Sequence, residues 1–97
     1  MPNTIDGYKH VFHLYVIKSD KRNSLKNYLS EMGIETVINY PVALPFLPAY
    51  NKYNYSTSDF PISFSNQDKI LSLPIFPEIT ENQINYVIDK VKNFFNK

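Results

Sequence analysis

The sequence contains no cysteine. A disulfide framework is therefore excluded, and so is any thiolate ligand or nucleophile. Only Gly7 and Gly33 are glycines, too few for a G-x-G-x-x-G fingerprint or a phosphate-cradling loop. Charge of one sign is also lacking. Ten Lys and Arg stand against nine Asp and Glu, a net charge of +1, which gives no electrostatic footprint for nucleic acid or an anionic membrane surface. No apolar run approaches the roughly 18–20 residues needed to span a bilayer. The opening residues Met1 to Gly7 have neither a basic start nor an apolar stretch. They do not read as a signal peptide, so the expectation is a cytoplasmic protein with no membrane or nucleic-acid partner.

What is present fits one domain over residues 1–97. The chain is 43% apolar and 20% charged, near the globular average, which argues against global disorder. No linker or internal repeat divides it. Aromatics are abundant, with eight Tyr and seven Phe, and seven prolines outnumber the glycines. Pro41, Pro45 and Pro48 fall in one segment, and Pro74 and Pro77 close another. Such spacing predicts ordered connections between periodic elements.

Residues His10–Ile17 are β-branched and aromatic on both alternating faces, which predicts a strand covered on both sides. Ser19-Asp20 offers a helix N-cap. Leu25, Tyr28, Leu29 and Met32 then recur at helical spacing, and Gly33 stands where a left-handed C-cap belongs. Alternation over Ile34–Tyr40, strongest over Ile34–Ile38, predicts a second strand that Pro41 ends. Pro41 to Ser58 shows no period and reads as one long aromatic loop, carrying Phe46, Tyr50, Tyr53 and Tyr55, with Tyr40 at its edge. A short helix over Asp59–Asp68 with Pro61 in its first turn, a strand over Ile70–Leu73, and a helix opened by a Thr80/Gln83 capping box complete the chain. The fold class is thus α+β. A small sheet of about three strands should be covered by helices Asp20–Met32 and Thr80–Phe95. The expected core is Val11, Leu14, Val16, Leu25, Leu29, Ile34, Ile38, Leu71, Leu73, Ile84, Val87, Ile88 and Val91.

Local chemistry is sparse. His10 and His13 are three apart on an expected strand, so they face opposite ways and cannot share a metal ion. The acids form no cluster, and no elbow motif presents a serine to a histidine base. No catalytic, cofactor-binding or metal-binding residue is assigned. The aromatic loop is the exception, because Tyr and Phe beside fixed prolines can wall a ligand pocket. The same rings suit sealing of the domain against its own core or another domain. With Lys52 as the only basic residue between Tyr40 and Ser58, the loop does not suit single-stranded nucleic acid.

Several blocks together resemble one family. His10 to Ile17 (HVFHLYVI), Gly33 to Pro41 (GIETVINYP), Leu47-Pro48-Ala49-Tyr50, Asp59-Phe60-Pro61, Leu71 to Glu78 (LSLPIFPE) and Thr80 to Ile88 follow one another in order. In that order and spacing they are similar to the C-terminal domain of the DegT/DnrJ/EryC1/StrS aminotransferases, pyridoxal-phosphate (PLP) enzymes that aminate nucleotide-linked keto-sugars. The resemblance covers about His10 to Phe95.

The resemblance implies the small C-terminal domain of the aspartate-aminotransferase-like PLP fold. In that family the Schiff-base lysine, the partner of the pyridine nitrogen and most phosphate ligands lie in the larger N-terminal domain. That domain, a homodimer in the parent enzyme and a nucleotide-sugar substrate are therefore the implied partners. PLP is the implied cofactor of the parent and not of this segment, which would be inactive alone and would represent an excised domain or truncated reading frame. By the same resemblance Asn39 and Tyr40 are substrate-binding in the parent. The family's His-Tyr-Pro has Asn39 in place of its first residue, and Pro45 replaces a second histidine, so the substrate contacts differ. A free-standing binding or interaction module of the same fold is the alternative.

Overall fold

The computed structural model describes residues 4–9, 11 and 13–96. His10 and Phe12, expected in the first strand, lie outside the described residues.

The order of elements is β1 (Tyr15–Lys18), α1 (Arg22–Glu31), two 3-10 turns (Leu44–Phe46 and Pro48–Tyr53), α2 (Pro61–Asn66), β2 (Ile70–Leu73) and α3 (Glu81–Phe95). β1 and β2 pair antiparallel, with Tyr15 opposite Leu73 and Lys18 opposite Ile70. The first strand is shorter than expected. In this register the residue opposite Leu14 is Pro74, which has no N–H to give a ladder.

The third strand expected over residues 34–38 is reduced to one bridge, Val37 opposite Ser72. Around that bridge the segment is tied to α1. Ile34 N–H donates to Leu29 O at 2.8 Å and Gly33 N–H to Ser30 O at 3.0 Å. With Gly33 at φ +78°, these two bonds form a Schellman stop on α1, its apolar contact being Ile34 against Leu29. Thr36 O accepts from Lys26 Nζ at 3.1 Å. β2 is therefore flanked by β1 on one side and by a single bridge on the other.

α1 starts two residues later than the cap residues suggest, yet Ser19 still closes its entrance. Ser19 Oγ accepts Lys21 N–H at 3.0 Å. α2 begins on Pro61 at its first position, where the missing N–H is not needed. α3 carries the complete capping box: Gln83 N–H donates to Thr80 Oγ1 at 3.1 Å, and Thr80 N–H to Gln83 Oε1 at 2.9 Å. The segment read as one long loop instead holds two 3-10 turns, each with a proline in its first two positions, followed by a left-handed Asn54.

The buried core is Leu25, Leu29, Ile34 and Leu71. Ile17, Tyr28, Ile38, Leu73, Val87, Val91 and Phe94 pack partly buried around it. Each fully buried leucine contributes about 1.5–3 kcal/mol. Five expected core residues are not there. Val11, Leu14 and Val16 are exposed. Tyr15 and Ile17 form the half-buried face of β1, with Ile17 against the core, and Val16 lies on the exposed face. The last helix docks through Val87, Val91 and Phe94, with the Phe94 ring 5.5 Å from Tyr28. Ile84 (41% exposed) and Ile88 (42% exposed) are left out of that contact. They border a strongly apolar recess of about 360 Å³ with Tyr15, Leu73 and Ile75. The Cα radius of gyration, 15.9 Å, exceeds the ~13 Å of a compact chain this long. Much apolar surface thus lies open.

Candidate functional site

Two recesses meet at Asn39. The larger, about 740 Å³, runs between residues 33–39 on one wall and Pro74 to Ile79 with the start of α3 on the other. Its polar groups include His13, Glu35, Asn39 and Asn82. Tyr86, also on its wall, donates its hydroxyl to Met32 O at 2.7 Å and ties α3 to the end of α1. The smaller recess, about 220 Å³, lies over the outer face of the sheet and is lined by Leu14, Val16, Asn39, Tyr40 and Ile70, among others.

Asn39 stands between them because its side chain is anchored. Nδ2 donates to Ser72 Oγ at 2.8 Å. Ser72 itself is fixed by the bridge, with its N–H on Val37 O at 2.8 Å and its carbonyl accepting Val37 N–H at 3.1 Å. Asn39 itself lines both recesses. Tyr40 follows in the left-handed region, φ 58°, a conformation that costs a bulky residue about 1–3 kcal/mol. The residue is two-thirds exposed (66%). Three residues on, Ala43 N–H donates to Gln67 Oε1 at 2.9 Å.

Beyond Ala43 the aromatic rings pack largely on one another. Tyr50, Tyr53 and Tyr55 form a stacked file, with centroids 6.2 and 5.6 Å apart. Phe60 meets Tyr55 edge-on at 5.1 Å, and Phe46 meets Phe64 at 5.6 Å. A cavity of about 400 Å³ lies against Leu44, Pro45, Tyr50 and Phe60. Pro45 contributes a packing face there. Much of the segment's aromatic content is thus spent on ring–ring packing, although Tyr50, Tyr53, Tyr55 and Phe60 also line that cavity.

The DegT/DnrJ/EryC1/StrS aminotransferase family matches residues 1–92. The chain belongs to this family. It is 38% identical over 94 residues to the pleiotropic regulatory protein of Geobacillus stearothermophilus, covering 97% of this chain and 25% of that protein. It is 31% identical to the dTDP-3-amino-3,6-dideoxy-alpha-D-galactopyranose transaminase of Aneurinibacillus thermoaerophilus, again over 97% of the chain and 25% of the relative. The fold agrees. A DegT DnrJ EryC1 StrS aminotransferase from Brucella abortus superposes with a TM-score of 0.88 at 32% identity, over 99% of this chain and 26% of that one. DesV of S. venezuelae, in complex with a ketimine intermediate, gives 0.88 at 30% identity over the same shares. The chain spans about a quarter of the length of the relatives it matches.

The donor set does not fit PLP by itself. Among the described residues lining the larger groove there is no lysine, arginine or aspartate. Lys26 is held by Thr36, and Lys69 pairs with Asp20 at 3.2 Å. Among the described residues no cluster of three metal-ligating side chains occurs. No reaction step is therefore assigned to this segment. His13 lines the groove alone, and His10 lies outside the described residues. Sequence reasoning missed Ser72, Gln67 and Arg22. Ser72 had a signal, a lone hydroxyl in an otherwise apolar strand. Gln67 had none.

Proposed function

We propose that this chain is the C-terminal small domain of a PLP-dependent aminotransferase that aminates a nucleotide-linked keto-sugar. In this reading it is inactive alone and works covalently joined to an N-terminal PLP-binding domain, within a cytoplasmic homodimer. The observation that carries the proposal is the quarter-length match, in which 99% of this chain lies on 26% of each of two aminotransferases at a TM-score of 0.88. The relative from Aneurinibacillus thermoaerophilus is a dTDP-sugar transaminase, which supports the substrate class. The apolar recess at Ile84 and Ile88 supports a missing neighbour, since exposed faces of this kind mark interaction surfaces.

Within that enzyme Asn39 and Tyr40 form part of the sugar-nucleotide wall. Asn39 Oδ1 accepts a hydrogen bond and the Tyr40 ring offers an apolar face with a polar tip. Neither residue takes part in the amino-donor chemistry. PLP, when held by the other domain, supplies the electron sink for transamination. The test is made in a full-length enzyme ending in this sequence, with Asn39→Ala and Tyr40→Phe assayed in both half-reactions. Loss confined to the keto-sugar half-reaction is expected. Unchanged rates in both would show the wall to be structural.

A further inference from the structure

We propose that Gln67 is a positioning residue for Tyr40, and that it sets the affinity for the nucleotide sugar without touching it. The inference rests on the reading that Tyr40 faces that substrate. Tyr40 holds a left-handed backbone and is 66% exposed. Among the described residues no hydrogen bond of its side chain holds that conformation. The ends of the short segment do: Asn39 Nδ2 on Ser72 Oγ at 2.8 Å, and Ala43 N–H on Gln67 Oε1 at 2.9 Å.

Both anchors lie on one stretch, residues 67–72, and that stretch is fixed from its other side. Arg22, 7% exposed on α1, donates from Nη1 to Gln67 O at 3.1 Å and to Ile70 O at 3.2 Å. Gln67 therefore works at two ends, its carbonyl seated by Arg22 and its side chain holding Ala43. Freeing one end of the segment returns conformational freedom to its backbone. A clamped segment presents Tyr40 already arranged, so binding does not have to order it. One neutral hydrogen bond of this kind corresponds to about a five- to tenfold change in affinity.

The experiment uses the full-length enzyme carrying this sequence, with a nucleotide keto-sugar and an amino donor. Gln67→Leu removes the acceptor and keeps the bulk. Ala43→Pro breaks the same bond from the other side, and Ala43 already has the φ of −59° that proline imposes. Gln67→Glu keeps an acceptor. Gln67→Leu and Ala43→Pro should each raise the keto-sugar KM about five- to tenfold with kcat and the amino-donor half-reaction unchanged, the pattern of lost uniform binding. The double variant should be no worse than either, and Gln67→Glu should stay within about twofold of wild type. Amide hydrogen exchange gives a readout independent of turnover: Ala43 should lose protection in Gln67→Leu and keep it in Gln67→Glu. Unchanged KM in Gln67→Leu, equal loss in Gln67→Glu, or an unprotected Ala43 amide in wild type overturns the proposal. Tyr40→Ala is measured alongside. If it leaves the keto-sugar KM unchanged, the substrate-wall reading fails and this inference falls with it, whatever the exchange data show. If it raises KM while Gln67→Leu does not, positioning alone fails.

Discussion

Asn39 reaches from the end of the bridge segment to the middle of β2, where its Nδ2 donates to Ser72 Oγ at 2.8 Å. Ser72 is 6% exposed, and both its backbone groups already bond Val37. One residue of a four-residue strand thus holds the segment on which Tyr40 stands.

Breaking this contact has unequal consequences from its two ends. Ser72→Ala removes a buried hydroxyl together with its bond, and should cost about 1 kcal/mol. Asn39→Ala leaves that hydroxyl buried without its donor, and should cost about 1–3 kcal/mol. Urea unfolding midpoints measure both. A double variant whose loss equals the sum of the singles would show that the two side chains do not interact.

Arg22 should matter more than its position on a helix suggests. It is buried, and its guanidinium bonds Gln67 O, Ile70 O and Asn23 Oδ1. Among the described residues it has no carboxylate partner, so neutral carbonyls alone compensate its burial. Nη1 serves both carbonyls while Nε serves Asn23, and the single ammonium of Arg22→Lys cannot occupy both places. We expect a loss of about 2 kcal/mol for Arg22→Lys, since hydrogen bonds to charged groups contribute about 1.5–3 kcal/mol each. A midpoint within experimental error of wild type would refute this account of the junction between α1 and β2.

The helices were legible because their signals are local. Gly33 ends α1 in a Schellman stop, Pro61 opens α2, and Thr80 with Gln83 caps α3. Each depends on residues within one or two turns. The sheet was less legible because pairing is settled far along the chain. The register places Pro74 opposite Leu14 and so truncates β1, and the Val37–Ser72 bridge places the same proline opposite Glu35, where a third strand would need its N–H. The candidate site divides in the same way. Asn39 and Tyr40 came from a resemblance, whereas Gln67 is joined to Ala43 by the fold alone and its residue type announces nothing.

The α3 stripe yields a prediction about completeness. Ile88 is 42% exposed here, although its spacing from Ile84 and Val91 marks it for burial. In the 97-residue chain Ile88→Ala should cost under about 1 kcal/mol, while Leu29→Ala, at a fully buried site, should cost about 2–5 kcal/mol. In a full-length enzyme that covers the Ile84–Ile88 recess, the penalty for Ile88→Ala should rise to about 2–4 kcal/mol. Thermal or urea unfolding of both forms checks this. Equal small penalties in both would mean that nothing docks on that face.

Cofactor retention tests the division of labour most directly. Stable PLP binding needs a lysine for the carbonyl carbon, a partner for the pyridine nitrogen and ligands for the phosphate. The groove beside Asn39 lacks any lysine, arginine or aspartate among its described lining. The chain's two glycines stand far apart at Gly7 and Gly33, so no glycine loop is available for the phosphate. Surface lysines still react with excess aldehyde, but nothing holds the product against dialysis. The 97-residue chain mixed with PLP should therefore return to a protein-only absorbance spectrum after dialysis and show no turnover with an amino donor. The full-length enzyme should keep one cofactor per subunit. One-to-one retention by the short chain would place the cofactor site within these residues and overturn the domain assignment.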